Sequence, residues 1–494
     1  GDGGPGDLGG DVDRPYDWLR RYLMSLREPV ELLDPSAVGP VYFIAIGGAG
    51  MSGVARIYHD LGVEVRGSDQ VDSANLRDLA SLGVQTWVGH DPSHLAGART
   101  VVVSSAIRPD NPELVEAHRL GLRIWHRSAA LAALMLGREG VSIAGTHGKT
   151  TTTGMVATML DCAGADPSYV IGSPLAATGM SSHLGGGEAF VVEADESDGS
   201  FLQYPSQIVV VTNVEADHLD NWGTPQAYFD GFVSMATRPE VRYVVTNADD
   251  PGAAELACRL ESTGTVRVVT YGESEQAEVR LVDLDLNGTT ASATLVHGPT
   301  QGRLELQVPG RYNLSNAAAA YCVGSLLGIS HQDLLTGIAS FTGTLRRFQL
   351  VGRVADVSVF DDYAHHPTEL RATLGAARRV VTGQGRVIAC FQPHLFSRTR
   401  DFAGEFGSAL TLADRVIVSD IYPAREDPIP GVTGELVHDA VIAAGGDSRY
   451  VPDKQDLPEA LAEEVRPGDL VITLGAGDVT LVGPVLVGLL EGKA

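Results

Sequence analysis

The stretch VSIAGTHGKTTTTGMVATMLDCAG, residues 141–164, sets the architecture of this chain. An apolar run leads into a glycine-rich turn and then a helix-forming segment, so the order is strand, loop, helix. The turn is shorter than the common phosphate-binding pattern G-x-x-x-x-G-K-[ST], because Ile143 stands where that pattern has glycine. It keeps the glycines that free backbone amides for a phosphate, the lysine Lys149 and the hydroxyl of Thr150 at a helix start. A nucleotide-phosphate loop therefore fits better than a plain turn with an exposed lysine.

The overall composition is that of an acidic globular protein. Of 494 residues, 44% are apolar, and the formal net charge is −26. This charge argues against nucleic-acid or anionic-membrane partners, and no apolar run reaches the roughly 18 residues of a membrane span. Residues 1–39 begin acidic and glycine-rich without the features of a signal peptide, so we expect a disordered leader and a cytoplasmic protein.

Lysine and cysteine are both scarce. Only three lysines occur, and one of them lies in the phosphate loop: Lys149, Lys454 and Lys493. The four cysteines are far apart in sequence and form no C-x-x-C pair: Cys162, Cys258, Cys322 and Cys390. We expect buried, reduced thiols rather than disulfides or a zinc site.

Strand and helix signals divide the chain after the leader into three blocks, residues 40–137, 138–344 and 345–494. Strands alternate with helical segments in each block, which predicts doubly wound parallel sheets. The predicted fold is α/β with three domains: a Rossmann-like N-terminal domain, a P-loop ATPase-like central domain and a Rossmann-like C-terminal domain. Short alternating strands at about 277–308 predict a small antiparallel addition to the central domain. Ligands should lie at the carboxyl ends of the strands.

A second glycine cluster follows the first predicted strand. Gly48, Gly50 and Gly53 form G-x-G-x-x-G, and Asp69 ends the next strand about 20 residues later. Backbone amides at such a helix start can hold a pyrophosphate. NAD, FAD and a UDP-sugar would all satisfy this pattern, and glycines needed only for tight packing remain an alternative.

Carboxylates follow two strands of the central block. They lie in EADESD, residues 193–198, and in NVEADHLD, residues 213–220. If these strands are parallel neighbours of the strand before the phosphate loop, both carboxylate groups lie beside that loop. Mg²⁺ takes oxygen ligands from one or two side chains and from phosphates. His218 lies at an acidic strand end, so it is a better candidate ligand than an isolated histidine, whereas about half of the carboxylates should be solvated or capping.

Taken in order, the motifs resemble those of the Mur ligases, the ATP-dependent amide ligases of peptidoglycan assembly. The resemblance covers nearly everything after residue 40 and rests on these motifs: IGGAGMSG, SSAI, NPE, GTHGKTTTT, EADESDGSF, TNVEADHLD, PGRYNLSNAAAA, LRRFQ, FDDYAHHPTE, FQPHLFSRT and GAGD. They are most similar to those of the members that add L-alanine to UDP-N-acetylmuramic acid.

The resemblance implies ATP and Mg²⁺ as cofactors and assigns residues to each ligand. The UDP end of the substrate would face Gly48, Ala49, Gly50, Ser52, Ser68, Asp69, Ser104, Ser105 and Arg127. ATP would be bound by Gly145, Thr146, His147, Gly148, Lys149, Thr150, Thr151, Asn316, Arg347 and Asp362. The C-terminal domain would bind substrate through Tyr363, His365, His394 and Arg398, and L-alanine near the segment DIYPARED at 420–427. Thr150, Glu193 and His218 would hold Mg²⁺, and Lys149, Glu193 and His218 would be the catalytic residues.

The implied reaction activates the lactyl carboxylate of the UDP-sugar as an acyl phosphate, which the alanine amine then attacks. A related ligase that attaches a recycled tripeptide to the same UDP-sugar is the nearest alternative. Two more distant alternatives are an oxidoreductase that uses the glycine cluster at 48–53 and a non-catalytic nucleotide-binding regulator. A monomer or homodimer is expected, without nucleic-acid partners or membrane insertion.

Two departures from the family pattern stand out. Some relatives place a carbamylated lysine in the central domain, but no lysine lies between Lys149 and Lys454 here, which excludes that device. Arg425 stands where a YPAGE-like segment would have glycine, which puts the amino-acid contacts there in doubt. His147 should either shape the phosphate loop or contact phosphate.

Overall fold

The computed structural model describes residues 28–424 and 426–492. Contacts between Cα atoms group them into two units. The N-terminal unit contains the described residues up to Gly137 together with 195–205 and 220–222, and the main unit contains the others. Three largely parallel sheets carry the fold, which confirms the predicted three-part α/β architecture. The domain boundaries at 137/138 and 344/345 stay predictions.

The N-terminal sheet has five parallel strands in the order β3-β2-β1-β4-β5. They are β1 Val41–Ile44, β2 Val65–Asp69, β3 Gln85–Val88, β4 Thr100–Val103 and β5 Arg123–His126. Its helices are α1 Pro35–Val38, α2 Ala49–Asp60, α3 Ala74–Ser81, α4 Pro112–Arg119 and α5 Arg127–Leu134, with a 3₁₀ turn at Pro92–Leu95. The strand order reverses between β1 and β4, where open parallel sheets bind their ligands.

Residues 28–39, which we expected to belong to a disordered leader, have defined structure. They include helix α1, capped by the Asp34 side chain. The Gln203 side chain accepts from Val30 N at 3.0 Å and donates to Glu28 O at 2.9 Å. Long-range hydrogen bonds of this kind leave no local sequence signal. The rest of the expected leader lies outside the described residues.

The central sheet has ten strands in the order β15-β14-β13-β12-β11-β10-β6-β9-β7-β8. They are β6 Glu139–Ala144, β7 Ser168–Val170, β8 Ser182–His183, β9 Ala189–Glu193, β10 Ile208–Val211, β11 Tyr243–Asn247, β12 Arg267–Gly272, β13 Val279–Asp285, β14 Ala291–His297 and β15 Thr300–Leu306. β6 pairs in parallel with β9 on one side and β10 on the other. The predicted antiparallel addition is present as β13–β15, which extends the same sheet.

The chain between residues 149 and 339 forms six α-helices. They are α6 Lys149–Cys162, α7 Leu219–Trp222, α8 Pro225–Ala236, α9 Pro251–Thr263, α10 Arg311–Leu326 and α11 His331–Ala339, with a 3₁₀ turn at Ser200–Gln203. Ala317, Ala318, Ala319 and Ala320 of α10 are fully buried in the core that also contains Met155 of α6. Such small side chains let the two helices pack closely and bring α10 next to the phosphate loop.

The C-terminal sheet has six strands in the order β16-β17-β21-β18-β19-β20. They are β16 Gln349–Val354, β17 Val357–Asp362, β18 Val387–Phe391, β19 Arg415–Val418, β20 Ser448–Tyr450 and β21 Leu470–Leu474. All pairs are parallel except β16–β17. The helices are α12 Pro367–Val380, α13 Phe396–Leu410, α14 Glu435–Ala443, α15 Leu457–Glu464 and α16 Val482–Glu491, with 3₁₀ turns at Lys454–Asp456 and Asp478–Leu481.

The linker between the central and C-terminal sheets is pinned to the loop after β7. Ala176 N donates to Gly343 O at 2.9 Å, and Leu345 N donates to Pro174 O at 2.8 Å. The Ser173 hydroxyl adds a bond to Leu345 O at 2.7 Å. The chain therefore crosses between the two sheets along a hydrogen-bonded path rather than as a free tether.

The four cysteines are free, as expected, but their predicted burial is only half right. Cys322 and Cys390 are buried, whereas Cys162 and Cys258 are exposed. Cys162 is the last residue of α6, and Cys258 lies within α9. Across residues 28–424 and 426–492, no helix has the length and apolar character of a membrane span.

Candidate active site

The phosphate loop connects β6 to α6 through two glycines in backbone conformations that other residues avoid. Gly145 has φ 127°, and a Cβ there would lie 2.1 Å from Thr212 Oγ1. Gly148 has φ 84° and precedes Lys149, the first residue of α6. A side chain at either position would collide or strain the loop. The shortened motif therefore forms a tight strand-to-helix turn whose amides meet the helix N-terminus, the arrangement that binds phosphate.

Lys149 folds back over this loop. Its Nζ donates to Gly145 O at 2.7 Å and to Thr146 O at 3.2 Å. The Thr146 hydroxyl in turn donates to Glu215 O at 3.0 Å, which joins the loop to the chain after β10. Lys149 is thus held at the loop, where a phosphate would lie.

Thr150 and Glu193 meet beside the loop, as the parallel arrangement of β6 and β9 requires. The Thr150 hydroxyl donates to Glu193 Oε1 at 2.8 Å, and Gly172 N donates to Glu193 Oε2 at 2.7 Å. Both side chains offer oxygen ligands, the type that Mg²⁺ prefers, at the start of a helix whose amides face the phosphates. This donor set fits a magnesium ion.

His218 lies in the segment after β10, directly before α7, in a left-handed backbone conformation with φ 53°. Its backbone N–H donates to Asp217 Oδ1 at 2.7 Å, and its Nε2 lies 3.5 Å from Asp217 Oδ2. Asp217 also lies 3.6 Å from Arg398 of α13. Burial alone would raise the pKa of Asp217, but His218 and Arg398 outweigh it and lower that pKa.

Asn316 approaches the loop from α10. Its side chain is buried, and a Cβ on Gly148 would lie 2.8 Å from its Oδ1. It also donates to Asn313 Oδ1 at 3.4 Å. Thr151 is buried in the first turn of α6. In the main unit, Glu193, the Glu215 carbonyl oxygen and Asn316 therefore all lie at the phosphate loop.

The glycine cluster at 48–53 forms a comparable turn in the N-terminal unit. Helix α2 begins at Ala49, directly after Gly48. The Asp69 carboxylate accepts from Gly47 N at 2.9 Å, which fixes the turn from the end of β2. The Ser52 hydroxyl donates to Ala49 O at 3.2 Å, inside the first helical turn.

Arg127, the first residue of α5, lies over this turn. A Cβ on Gly50 would be 2.4 Å from Arg127 Nη1, so a side chain at this position would displace the guanidinium. Arg127 Nη2 also lies 3.9 Å from Asp195 Oδ2. A helix N-terminus with a guanidinium above it has the positive charge and the free backbone amides that favour an anion.

Two predicted substrate residues are engaged inside the N-terminal unit. Ser68 is fully buried, and its hydroxyl donates to Glu113 Oε2 at 2.6 Å. The Ser105 hydroxyl donates to Asp198 and lies 3.1 Å from His126 Nε2. Ser104 contributes its carbonyl oxygen to the turn that follows β4.

Sequence reasoning missed the carboxylate at the centre of this network. Glu113 is fully buried and accepts from the Tyr42 hydroxyl at 2.7 Å. His90 Nδ1 and His94 Nδ1 each lie 3.0 Å from one of its oxygens. The motif NPE at the start of α4 contains Glu113, but the partners of Glu113 come from three other segments, so the motif alone did not reveal the cluster.

In the C-terminal sheet, Asp362 holds the turn that carries Arg347. The Asp362 carboxylate accepts from Phe348 N at 2.7 Å and from Ala364 N at 2.8 Å. Burial raises the pKa of Asp362 to about 6, against the opposing effects of Arg347 and these donors. The Arg347 guanidinium lies 5.2 Å from the centroid of the Tyr363 ring.

The predicted substrate histidines meet at the ends of β17 and β18. The rings of His365 and His394 are 5.6 Å apart, and His394 stacks on Tyr422 at 5.8 Å. Burial lowers the pKa of His365 to about 3, so this ring is neutral. A cavity of about 520 Å³ lies at the same edge of the sheet and is lined by residues that include Gln392, Asp420, Tyr422, Lys454 and Asp478. Arg425 lies outside the described residues.

Comparison with known proteins assigns the chain to a family. The family model described as "Mur ligase family, catalytic domain" matches residues 40–139, "Mur ligase middle domain" matches 143–324, and "Mur ligase, glutamate ligase domain" matches 346–477. The chain belongs to the Mur ligase family. The predicted family is therefore confirmed.

Similar proteins indicate which activity within the Mur ligase family this chain has. The UDP-N-acetylmuramate–L-alanine ligase of Kineococcus radiotolerans is 53% identical over 460 residues, 92% of this chain and 97% of that protein. The protein of the same name from Paenarthrobacter aurescens is 51% identical over 457 residues, 92% of this chain and 98% of that protein. The crystal structure of the UDP-N-acetylmuramate–alanine ligase of Thermotoga maritima has a TM-score of 0.79 at 27% identity and covers 92% of this chain and 99% of that chain. These relatives bear out the predicted ligase function over the peptide-recycling alternative.

Proposed function

We propose that this chain is an ATP-dependent ligase that joins L-alanine to the lactyl carboxylate of UDP-N-acetylmuramic acid. The observation that carries the proposal is the meeting of the phosphate loop, Thr150 and Glu193 at one edge of the central sheet. Relatives that are 53% and 51% identical over nearly the whole chain are named for this activity. Peptidoglycan precursor synthesis is the process that such an activity serves.

The chemistry follows from the poor reactivity of a carboxylate towards an amine. A carboxylate oxygen attacks the γ-phosphorus of ATP, the bond to the β-phosphate oxygen breaks, and ADP leaves with an acyl phosphate formed on the substrate. The neutral alanine amine attacks the acyl carbon and loses a proton. The tetrahedral species collapses to the amide and releases inorganic phosphate. The protein mainly holds two anions in position and offsets their repulsion.

The loop residues are suited to that task. Two unit charges about 4 Å apart repel by about 4 kcal/mol at an effective dielectric constant of about 20. The loop amides and the Lys149 ammonium group would compensate the charge of the phosphates. Thr150 and Glu193 would hold one Mg²⁺ and His218 a second, and magnesium would supply further positive charge next to the phosphates.

The remaining contacts follow the position of each sheet. In the N-terminal unit, the turn at 47–52 and Arg127 would bind the pyrophosphate of the UDP-sugar. In the main unit, Asn316, Arg347 and Asp362 would contact the nucleoside of ATP. The C-terminal sheet would bind substrate through Tyr363, His365, His394 and Arg398. L-Alanine would bind at the edge of this sheet that carries residues 420–427. A cytoplasmic location goes with ATP and a nucleotide sugar as substrates, and a monomer or homodimer stays a prediction.

Amine preference gives a direct test of the proposal. With ATP, Mg²⁺ and UDP-N-acetylmuramic acid present, free L-alanine should stimulate phosphate release at least tenfold more than the tripeptide L-alanyl-γ-D-glutamyl-diaminopimelate. The physical reason is that each reaction needs its own amine pocket although the activation chemistry is shared. Phosphate release measured with each amine decides between them. Faster release with the tripeptide would assign the chain to peptide recycling.

A further inference from the structure

The side chain of His147 connects the phosphate loop to the C-terminal sheet. Its Nε2 lies 3.2 Å from Glu215 Oε2, after β10. Its Nδ1 lies 3.2 Å from Glu369 Oε1, in the first turn of α12. A carboxylate only accepts hydrogen bonds, and a neutral imidazole has a single N–H. Both contacts are made together only when His147 is the doubly protonated cation.

The same neighbourhood has the spacing of a metal site, because ligand atoms of His147, Glu215 and His366 lie within 4.8 Å of one another. The hydrogen bonds argue against a metal. Thr368 N donates to His366 Nδ1 at 3.4 Å, so the proton of a neutral His366 is on Nε2, which is buried and without a partner among the described residues. With His147 doubly protonated and the Nδ1 atom of His366 accepting from Thr368 N, neither histidine offers a lone pair to an ion, so we interpret the cluster as a charged bridge.

A second contact runs parallel to the first. The Thr368 hydroxyl lies 3.0 Å from both oxygens of Glu215. Glu369 also accepts from His365 N at 3.0 Å and from His366 N at 3.3 Å, which closes the N-terminus of α12. Glu369 therefore fixes the start of this helix and His147 at the same time.

The backbone of His147 is fixed from the central sheet. Its N–H donates to Asn213 Oδ1 at 2.7 Å, and its carbonyl oxygen accepts from Thr212 Oγ1 at 2.6 Å and from Asn213 Nδ2 at 3.0 Å. The residue lies between Gly145 and Lys149 in the phosphate loop. A displacement of the His147 side chain would therefore also displace the loop that would hold the phosphates.

We propose that His147 is a positioning residue that ties the phosphate loop to the first turn of α12, so that the loop is set for phosphoryl transfer only while the C-terminal sheet is docked. The inference rests on the proposed ligase function and adds a coupling between docking and the phosphate loop. His147 contacts Glu369 on the side of the C-terminal sheet and Glu215 on the side of the central sheet.

Electrostatics give the tie a pH range. Burial alone would lower the pKa of His147, but the hydrogen bonds to Glu215 and Glu369 outweigh it and raise that pKa to about 9, with Lys149 opposing them. His366 is the other titratable group that faces this ring, and burial lowers its pKa. Because the pKa of His147 is raised, the tie is complete below its ordinary pKa and is lost as pH rises through about 9.

The test compares His147→Asn, Glu369→Gln and the double variant in the phosphate-release assay with saturating substrates. Each single variant should lower kcat on the order of 100-fold, because a small misplacement of a reacting group has an effect of this size. The double variant should lose little more than either single variant, since both break one contact. His183→Asn, which removes an exposed pair with Asp166 in the same unit, is the matched control and should retain wild-type kcat.

The pH profile separates positioning from a merely structural role. Wild-type kcat should decline as pH rises through about 9, after correction for the alanine amine, whose deprotonation acts in the opposite direction. Glu369→Gln should move this decline to lower pH, because one of the two groups that stabilise the cation loses its charge. His147→Asn should lack it.

Three results would overturn the tie: additive losses in the double variant, an unmoved decline in Glu369→Gln, or tight Zn²⁺ binding that His147→Asn abolishes. If His147→Asn does not fold, the pH shift of Glu369→Gln alone decides. A wild-type protein without alanine-dependent phosphate release would refute the proposed function instead, so the two failures are distinct.

Discussion

Replacing Lys149 with alanine should abolish turnover and leave binding of UDP-N-acetylmuramic acid intact. Lys149 lies over the phosphate loop through bonds to two loop carbonyl oxygens, and its ammonium group would face the transferred phosphate. Loss of that charge should lower kcat by about 1,000-fold or more. The residues proposed to bind the UDP-sugar belong to the other unit, so calorimetry should give an unchanged dissociation constant.

Arg259→Ala is the control for this experiment. It removes an exposed cation that pairs with Asp230 at 2.9 Å in the same unit. Its kcat should stay close to that of the wild type. If Lys149→Ala also loses affinity for the UDP-sugar, the assignment of UDP binding to the N-terminal unit is wrong.

Replacing Glu193 with alanine should slow turnover and raise the Mg²⁺ requirement. The change removes a proposed magnesium ligand and leaves the Thr150 hydroxyl and Gly172 N without their acceptor. We expect kcat at fixed Mg²⁺ to fall on the order of 100-fold and the Mg²⁺ concentration for half-maximal rate to rise. A Mg²⁺ titration of phosphate release measures both quantities.

Glu188→Ala supplies the comparison, because it removes an exposed carboxylate just before the same strand. The Mg²⁺ titration of this variant should superimpose on that of the wild type. An unshifted titration in Glu193→Ala would show that Glu193 is not a magnesium ligand.

The sequence predicted those parts of the site that depend on local order. A strand, a glycine turn and a helix follow one another at 139–162, so the phosphate loop could be predicted from neighbouring residues. The meeting of Thr150 with Glu193 needed one further assumption, that their strands are parallel neighbours. The pairing of β6 with β9 and β10 supports it.

Contacts between distant segments could not be predicted in this way. His147 and Glu369 are 222 positions apart, and no periodicity links them. For the same reason the cluster around Glu113, which includes the Ser68 hydroxyl, was missed. Composition also misled at the N-terminus, where residues 28–39 were expected to be disordered.

The loop after β7 has a practical consequence for following the enzyme in solution. Gly172 in this loop contacts the Glu193 carboxylate, while Ser173, Pro174 and Ala176 hold the linker to the C-terminal sheet. A fluorophore on this loop, at the exposed residue Ala177, would therefore sense metal–nucleotide loading and linker movement from one position. The two exposed cysteines, Cys162 and Cys258, are the ones to replace before such labelling. Stopped-flow traces from that single probe could then place the two events in time order.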